Sequence, residues 1–132
     1  MARAVAKKEH WKEQPDEHDY PAAEDYLSLL TTPAEAKRLV RRLRVSPIAH
    51  RKAKDLLRAS RLPVLAPDNF HVAKDLKKLA AGSLLSPVLL LRGVLRTDMP
   101  LIVADGYHRI CASYHLNEDA DIPCRFADLA RA

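Results

Sequence analysis

The residues best suited to chemistry lie in one short segment, Asp105-Gly106-Tyr107-His108-Arg109, between an apolar run and a helical pattern. This arrangement places the free backbone N–H groups of Tyr107, His108 and Arg109 at the start of a helix, where the macrodipole contributes its positive end. A phosphate is well accommodated at such a position. The segment therefore predicts an anion-binding site, with a nucleotide phosphate as the leading ligand.

The side chains of this segment suggest individual roles. Gly106 permits a tight turn and the close approach of an anion to the backbone. Arg109 offers a fork of donors that matches phosphate oxygens, and His108 can donate a further hydrogen bond or move a proton. Asp105 either caps the helix or holds Mg²⁺ or a substrate hydroxyl. The same turn also occurs as pure architecture, with aspartate as the N-cap, so spacing alone leaves both interpretations open.

A second set of residues has the chemistry of metal ligands. His108, Cys111 and His115 share a helical stripe, Cys124 follows downstream, and such N and S ligands suit zinc. Cys111 also lies on the apolar face of the same helix, so burial as a small hydrophobic residue is the simpler interpretation. His115 could approach Cys111 across one turn, but a third, orienting group is missing. We therefore predict neither a metal site nor a cysteine nucleophile here.

Length and composition indicate one small domain. At 132 residues the chain has room for a modest core. No run approaches the roughly 18 apolar residues needed to span a bilayer, so no membrane partner is expected. Residues 1–14 lack the apolar region of a secretion signal. Two cysteines cannot make a disulfide framework. We therefore expect a cytoplasmic protein.

Positive charge is concentrated in one block of the sequence. The net charge is +5, and residues 37–61 contain ten Lys or Arg against one acidic residue, Asp55. Such a block attracts anionic partners, so non-catalytic nucleic-acid binding through residues 37–61 is the alternative function. Its two predicted helices suggest a helix-turn-helix, but their connection lacks the usual glycine. Pairing with the acidic residues of segment 1–36 explains the block equally well.

The pattern along the chain predicts an α+β fold in three parts. Residues 1–20 are expected to form a polar, flexible arm, residues 21–60 a helical extension that is basic from residue 37, and residues 61–132 a small α+β domain. The predicted helices cover 21–30, 33–44, 47–59, 70–81 and 107–116. The predicted strands cover 62–66 (at a sheet edge), 88–92, 101–104 and 122–127.

Helix boundaries are signalled most clearly at two places. Thr32-Pro33-Ala34-Glu35 is a capping box with proline at the first helical position, which predicts a helix start. Gly82 stands where a glycine ends a helix in the left-handed conformation. Trp11, the only tryptophan, lies in the polar arm and either anchors it or is left for a partner.

Two segments resemble motifs of the ParB/sulfiredoxin-like domains. Gly106 to Ala112 (GYHRICA) is similar to their G-x-x-R-x-x-A helix start, in the DGxHR form when Asp105 is included. Gly82 to Leu90 (GSLLSPVLL) is similar to the G-L-L-x-P-[IV]-x-V segment that precedes it. The order of predicted elements over residues 60–127 also fits. The resemblance covers about half of the chain and implies a small mixed sheet with flanking helices.

The resemblance implies binding of a nucleoside di- or triphosphate (ATP, ADP or CTP) with Mg²⁺. The phosphates would lie at Gly106, Tyr107, His108 and Arg109, with His108 on the β- or γ-phosphate. Asp105 or Asp68 would supply a carboxylate for metal or base. The implied activity is Mg²⁺-assisted phosphoryl transfer or nucleotide hydrolysis, in which positioning and electrostatics carry most of the catalysis.

Departures from the family pattern narrow the implied chemistry. Sulfiredoxins carry a catalytic cysteine where this chain has Tyr107, so sulfinic-acid reduction by that mechanism is not expected. The partition proteins have a helix-turn-helix domain after this unit, so with the sequence ending at Ala132 a complete partition protein is not expected. The family's serine kinase uses an acid near the end of its first strand, and Asp68 is the nearest counterpart. His71 follows it in the loop that would face the nucleotide.

Overall fold

The computed structural model describes residues 11–129, and in them the predicted α+β class is confirmed. A short 3₁₀ turn, Leu95–Thr97, joins the second and third strands. No helix in this range is long and apolar enough to cross a membrane. In chain order the elements are α1 (Asp19–Leu27), α2 (Pro33–Val45), β1 (Ala49–Lys52), α3 (Ala53–Ser60), α4 (Phe70–Ala80), β2 (Val88–Leu91), β3 (Ile102–Asp105), α5 (Tyr107–Leu116) and β4 (Asp121–Ala127).

The four strands form one mixed sheet in the order β1-β4-β2-β3. β4 runs parallel to β2, whereas β1 is antiparallel to β4 and β3 is antiparallel to β2. All four residues of β2 are buried, as expected for a strand with helices on both faces. Burying each of its leucine and valine side chains stabilises the fold by about 1.5–3 kcal/mol. β2 is therefore the centre of the core.

The helices lie in two layers, one on each face of the sheet. Val88 and Leu90 of β2 pack with α3, α4 and α5. Leu89 and Leu91 pack with α1 and α2. Since successive strand residues point to opposite faces, the two helix groups lie on opposite sides of the sheet. The predicted extension, residues 21–60, thus supplies one covering layer and, through β1, an edge of the sheet.

Local signals place the starts of α2, α4 and α5 correctly, whereas the predicted helix 21–30 lies slightly earlier in the chain, at Asp19–Leu27. The Thr32 hydroxyl accepts a hydrogen bond from the backbone N–H of Glu35 at 3.2 Å, which confirms the predicted cap of α2. Asn69 caps α4 by accepting from the N–H groups of His71 and Val72 at 3.0 and 3.1 Å. Gly82 follows α4 with φ of +84°, as predicted for a helix-ending glycine. The helical patterns therefore identify α2, α4 and α5 well.

Two predicted elements are wrong. The predicted helix 47–59 is in fact strand β1 followed by the shorter helix α3, because Ala49–Lys52 pairs with β4 and this tertiary pairing outweighs local propensity. The predicted edge strand 62–66 pairs with none of the strands in residues 11–129. Its residue Leu65 gives its backbone N–H to Cys111 Sγ at 3.5 Å, and its carbonyl lies 2.6 Å from His115 Nε2. These contacts with side chains take the place of the backbone hydrogen bonds that a paired strand would make.

The segment before α1 packs against the domain. Of the predicted arm 1–20, residues 1–10 lie outside the described residues. Trp11 is buried and forms a parallel bridge with Leu85, whose carbonyl accepts the Lys12 N–H at 2.8 Å. Gln14 accepts a hydrogen bond from the buried guanidinium of Arg125 on β4. Trp11 is therefore an anchor of this segment.

Candidate functional site

The polar and charged residues suited to chemistry line a cleft of about 190 Å³ between α4 and the junction of β3 with α5. Four of the residues predicted from sequence, Asp105, Gly106, His108 and Arg109, line it. The other side is formed by α4, which the sequence analysis did not include apart from His71. The lining residues are His71, Lys74, Asp75, Lys78, Asp105, Gly106, His108 and Arg109.

Gly106 shapes the turn between β3 and α5. It is the N-cap of α5 and has φ of +116°, a conformation that favours glycine. A Cβ at this position would lie 2.4 Å from Val88 Cγ1, so the turn is packed directly on β2. No side chain within residues 11–129 caps α5, and Asp105 therefore does not act as the N-cap. The first turn of α5 keeps the positive end of its dipole at the cleft.

Arg109 is held between two carboxylates. Its Nη2 donates to Asp105 Oδ2 at 2.9 Å and to the Pro87 carbonyl at 3.3 Å. The same nitrogen lies 3.5 Å from Asp19 Oδ2, and Nε is buried without a hydrogen-bond partner among residues 11–129. The guanidinium is thus fixed in place, and much of its charge is already compensated.

Asp19 reaches this cluster from the opposite helix layer. It is 3 % exposed and accepts a hydrogen bond from the hydroxyl of Ser86. Ser86 in turn accepts the backbone N–H of Asp16 at 2.9 Å. Asp19 therefore links α1 to Arg109 and to the segment before β2. Asp19 is not recognisable as a site residue in the sequence, because its surroundings have the composition of a polar arm.

Helix α4 contributes a polar stripe that faces the cleft. His71, Lys74, Asp75 and Lys78 follow the i, i+3, i+4, i+7 spacing of one helix face. Val72 and Leu79 occupy the buried face. Burial raises the pKa of the Asp75 carboxyl, although the positive charge of Arg109 opposes the shift. This spacing was the available signal for a second wall of the site.

Two histidines meet at the mouth of the cleft. The ring centroids of His71 and His108 are 4.6 Å apart. Burial lowers the pKa of His108 and the neighbouring His71 lowers it further, while Asp75 opposes the shift. A neutral imidazole at neutral pH can accept a proton from a bound hydroxyl or water. Burial also raises the pKa of Asp105, despite the hydrogen bond and charge of Arg109.

The lowered pKa of His108 predicts a pH-dependent stability. Its folded-state pKa lies below the unfolded value of about 6.5, so between the two values the unfolded chain binds more protons at this residue. The free energy of unfolding is therefore expected to fall as the pH drops through about 6.5, by less than about 1.4 kcal/mol per pH unit for one proton. Urea unfolding across this range should show a shallower fall in His108→Gln.

The matched control for this measurement is His50→Gln, since His50 is exposed on β1 outside the cleft. It removes an imidazole but leaves His71 and His108 in the cleft unchanged. An equal slope in wild type and His108→Gln would contradict the assignment.

Tyr107 and Asp68 lie outside the cleft. The Tyr107 hydroxyl donates to the Pro63 carbonyl at 2.6 Å, so its side chain serves packing between α5 and the segment before α4. Only the backbone of Tyr107 belongs to the first turn of α5. Asp68 is exposed in the turn before α4 and is not among the lining residues. Asp75, seven residues further along the chain, is the carboxylate that α4 contributes to the cleft.

The surroundings of both cysteines are typical of side chains that pack in a protein interior. Cys111 and Cys124 are both buried, and burial raises both thiol pKa values, that of Cys124 to about 12. Among residues 11–129, His108, Cys111, His115 and Cys124 do not bring three metal-ligating atoms together. A group of three does occur at Asp16, His18 and Asp19, where the carboxylates already have Lys12, Ser86 and Arg109 as partners.

The basic block 37–61 is divided between two faces of the sheet. α2 packs with Leu89 and Leu91, and α3 packs with Val88 and Leu90, so the two helices do not form a helix-turn-helix. The expected pairing with the acidic residues of segment 1–36 is confirmed for Lys37, Arg38 and Arg44. The ion pairs of the block are Lys37–Glu24, Arg38–Glu35, Arg44–Glu17, Lys54–Asp119, Arg58–Asp55 and Arg61–Asp98.

Comparison with known proteins identifies no relative. No family model, curated protein or solved structure matches the chain. The ParB/sulfiredoxin-like resemblance therefore stays a prediction that depends on the motifs at Gly82–Leu90 and Gly106–Ala112. The functional conclusion depends on the chemistry of the cleft.

Proposed function

We propose that this protein binds the phosphate groups of a nucleoside di- or triphosphate in the cleft between α4 and α5. The main support for this proposal is that Lys74 and Lys78 line the same cleft as the first turn of α5, which no side chain in residues 11–129 caps. Neither lysine ammonium group makes a hydrogen bond or an ion pair with another residue in 11–129. Lysine ammonium groups and helix N-terminal N–H groups are both strong phosphate donors. The ligand class is the one that the ParB/sulfiredoxin-like resemblance implies.

Arg109 organises this cleft more than it supplies free positive charge. Asp105 and Asp19 both contact its Nη2, so a phosphate would compete with carboxylates for that donor. The Pro87 carbonyl also accepts from Nη2, which holds the first turn of α5 against the start of β2. The two lysines therefore provide the positive charge that is not held in an ion pair, although the Asp75 carboxylate in the same cleft attracts both of them.

Mg²⁺ fits the cleft as a companion of the phosphates. This ion takes oxygen ligands and is commonly held by one or two carboxylates together with phosphate oxygens. The Asp75 carboxylate is half-buried in the cleft and makes no hydrogen bond or ion pair within 4 Å among the described residues. It is thus the carboxylate best placed to hold the ion, since Asp105 is engaged by Arg109. When bound, Mg²⁺ neutralises phosphate charge.

We extend the proposal to phosphoryl transfer or nucleotide hydrolysis in the cytoplasm. His108 is the base: it takes the proton from an attacking hydroxyl or water as that oxygen bonds to phosphorus and the bond to the leaving phosphate breaks. Lys74 and Lys78 hold the phosphate oxygens during this exchange. Positioning and electrostatics of this kind supply most of the catalysis in phosphoryl transfer.

Binding of pyrophosphate, ADP, ATP and CTP, each with Mg²⁺, is tested by titration calorimetry on wild type, Lys74→Ala and Lys78→Ala. We expect each lysine variant to weaken binding of every phosphate ligand roughly tenfold, because a charge-assisted hydrogen bond is worth about 1.5 kcal/mol or more. Lys77→Ala is the matched control, since Lys77 is on the same helix but outside the cleft.

Two outcomes would contradict the proposal. One is the absence of pyrophosphate and nucleotide binding by the wild-type chain. The other is an equal loss of affinity in Lys77→Ala and Lys78→Ala, which would indicate attraction by the general charge of α4 rather than by the cleft.

A further inference from the structure

An exposed aromatic residue extends the cleft outward. Phe70, the first residue of α4, is 75 % exposed, although burial of a phenylalanine side chain is favourable. Its ring meets the ring of His71 edge to face, with centroids 5.2 Å apart. The ring centroid of His71 lies 4.6 Å from that of His108, and the ring centroid of His108 lies 5.6 Å from that of Tyr107. We call these four residues the aromatic row.

The aromatic row begins in solvent and ends at the phosphate cleft. His71 and His108 line the cleft, whereas Phe70 lies beyond it. Tyr107 is fixed by its hydroxyl hydrogen bond to Pro63. Phe70 is thus the end of the row whose ring is open to a ligand. Lys74 and Lys78, further along the same helix, offer charge but no ring.

The size of the cleft determines where the rest of a nucleotide must go. At about 190 Å³ it is smaller than the roughly 300–1,000 Å³ of pockets that enclose a whole drug-sized ligand. Phosphate groups on Lys74 and Lys78 would fill most of it. The nucleoside must therefore leave the cleft and contact its rim. The aromatic row is the part of that rim able to stack on a planar ring.

We infer that the exposed ring of Phe70 stacks on the nucleobase of the ligand whose phosphates occupy the cleft, while the His71 ring, which lies at 83° to it, supports Phe70 from the side. This assignment rests on the proposed function and adds to it a residue that distinguishes nucleotides from other phosphates. Stacking uses the π-face that every base has, so it selects for a planar aromatic group without choosing one base. Phe70 is thus a specificity-determining residue.

The test compares ADP, CDP and pyrophosphate, each with Mg²⁺, by titration calorimetry on the full chain. In Phe70→Ala we expect ADP and CDP affinity to fall about tenfold, within the range of base–aromatic stacking, and pyrophosphate affinity to stay unchanged. Phe70→Trp should restore nucleotide affinity. Leu95→Ala is the matched control, because Leu95 is 97 % exposed and lies outside the cleft.

The possible failures are distinguishable. If wild type does not bind pyrophosphate or nucleotides, the proposed function fails and the base assignment fails with it. If pyrophosphate binds as tightly as ADP and CDP, or if Phe70→Ala weakens all three ligands equally or none, only the base assignment is overturned.

Discussion

Replacing Gly106 with alanine is expected to lower the free energy of unfolding by about 3 kcal/mol. Part of this cost is backbone strain, since φ of +116° is unfavourable for a residue with a Cβ atom. The larger part is steric, because the new Cβ would lie 2.4 Å from Val88 Cγ1, in a strand that cannot move without disturbing the core. Urea denaturation measures the change.

The chain offers a matched control in Gly82→Ala. Gly82 also has a positive φ, +84°, but a Cβ there would meet no atom within 4 Å. This variant isolates the backbone term, and we expect a loss of about 1 kcal/mol. Equal losses in Gly106→Ala and Gly82→Ala would contradict the close packing of the β3–α5 turn on β2.

Replacing Asp19 with asparagine is expected to change stability and binding in opposite directions. The asparagine can still accept a hydrogen bond from Ser86, but it removes one of the two carboxylates that compensate the largely buried Arg109. We expect the free energy of unfolding to fall by about 2 kcal/mol. The cleft also becomes more positive, so pyrophosphate should bind severalfold more tightly at low salt. Denaturation and calorimetry measure the two effects.

Asp16→Asn is the control for this second substitution. Asp16 carries the same charge in the same segment, but its carboxylate pairs with Lys12 and is partly exposed. We expect a loss of stability below about 1 kcal/mol and little change in pyrophosphate affinity. A similar pattern in Asp16→Asn and Asp19→Asn would mean that the general charge of this segment, and not the contact with Arg109, controls the cleft.

The elements that the sequence predicts well are those whose signals are local. α5 begins at Tyr107 as expected, because Gly106 marks the turn and the apolar residues that follow have helical spacing. α2 begins where the Thr32 capping box places it. In both cases the information lies within about one helix turn of the boundary, so no knowledge of the rest of the chain is needed.

Strand β1 illustrates why other elements could not be predicted. Its sequence, Ala-His-Arg-Lys, has neither an apolar alternation nor strong strand propensity, and three of its four residues are exposed. Ala49 pairs with Cys124 and Lys52 pairs with Asp121, on a strand far along the chain. The extended conformation comes from that pairing, which a local pattern does not contain.

In the candidate site, too, one part could be predicted from local sequence signals and another part could not. The β3–α5 half was visible because Gly106 and Arg109 follow an apolar strand. The α4 half looks like any solvated helix face in sequence, and only its packing against α5 distinguishes Lys74 and Lys78 from other surface lysines. Asp19 is harder still to predict. Its partner Arg109 lies far along the chain, on a helix of the opposite layer.

The charged edge of the sheet has a consequence for association between copies of the chain. β1 is an outer strand of only four residues, and Arg51 and Lys52 are exposed on it. Two such edges brought together would place like charges side by side, which opposes the edge-to-edge pairing that begins aggregation. The basic residues of β1 thus oppose pairing at this edge of the sheet, a role that requires no ligand.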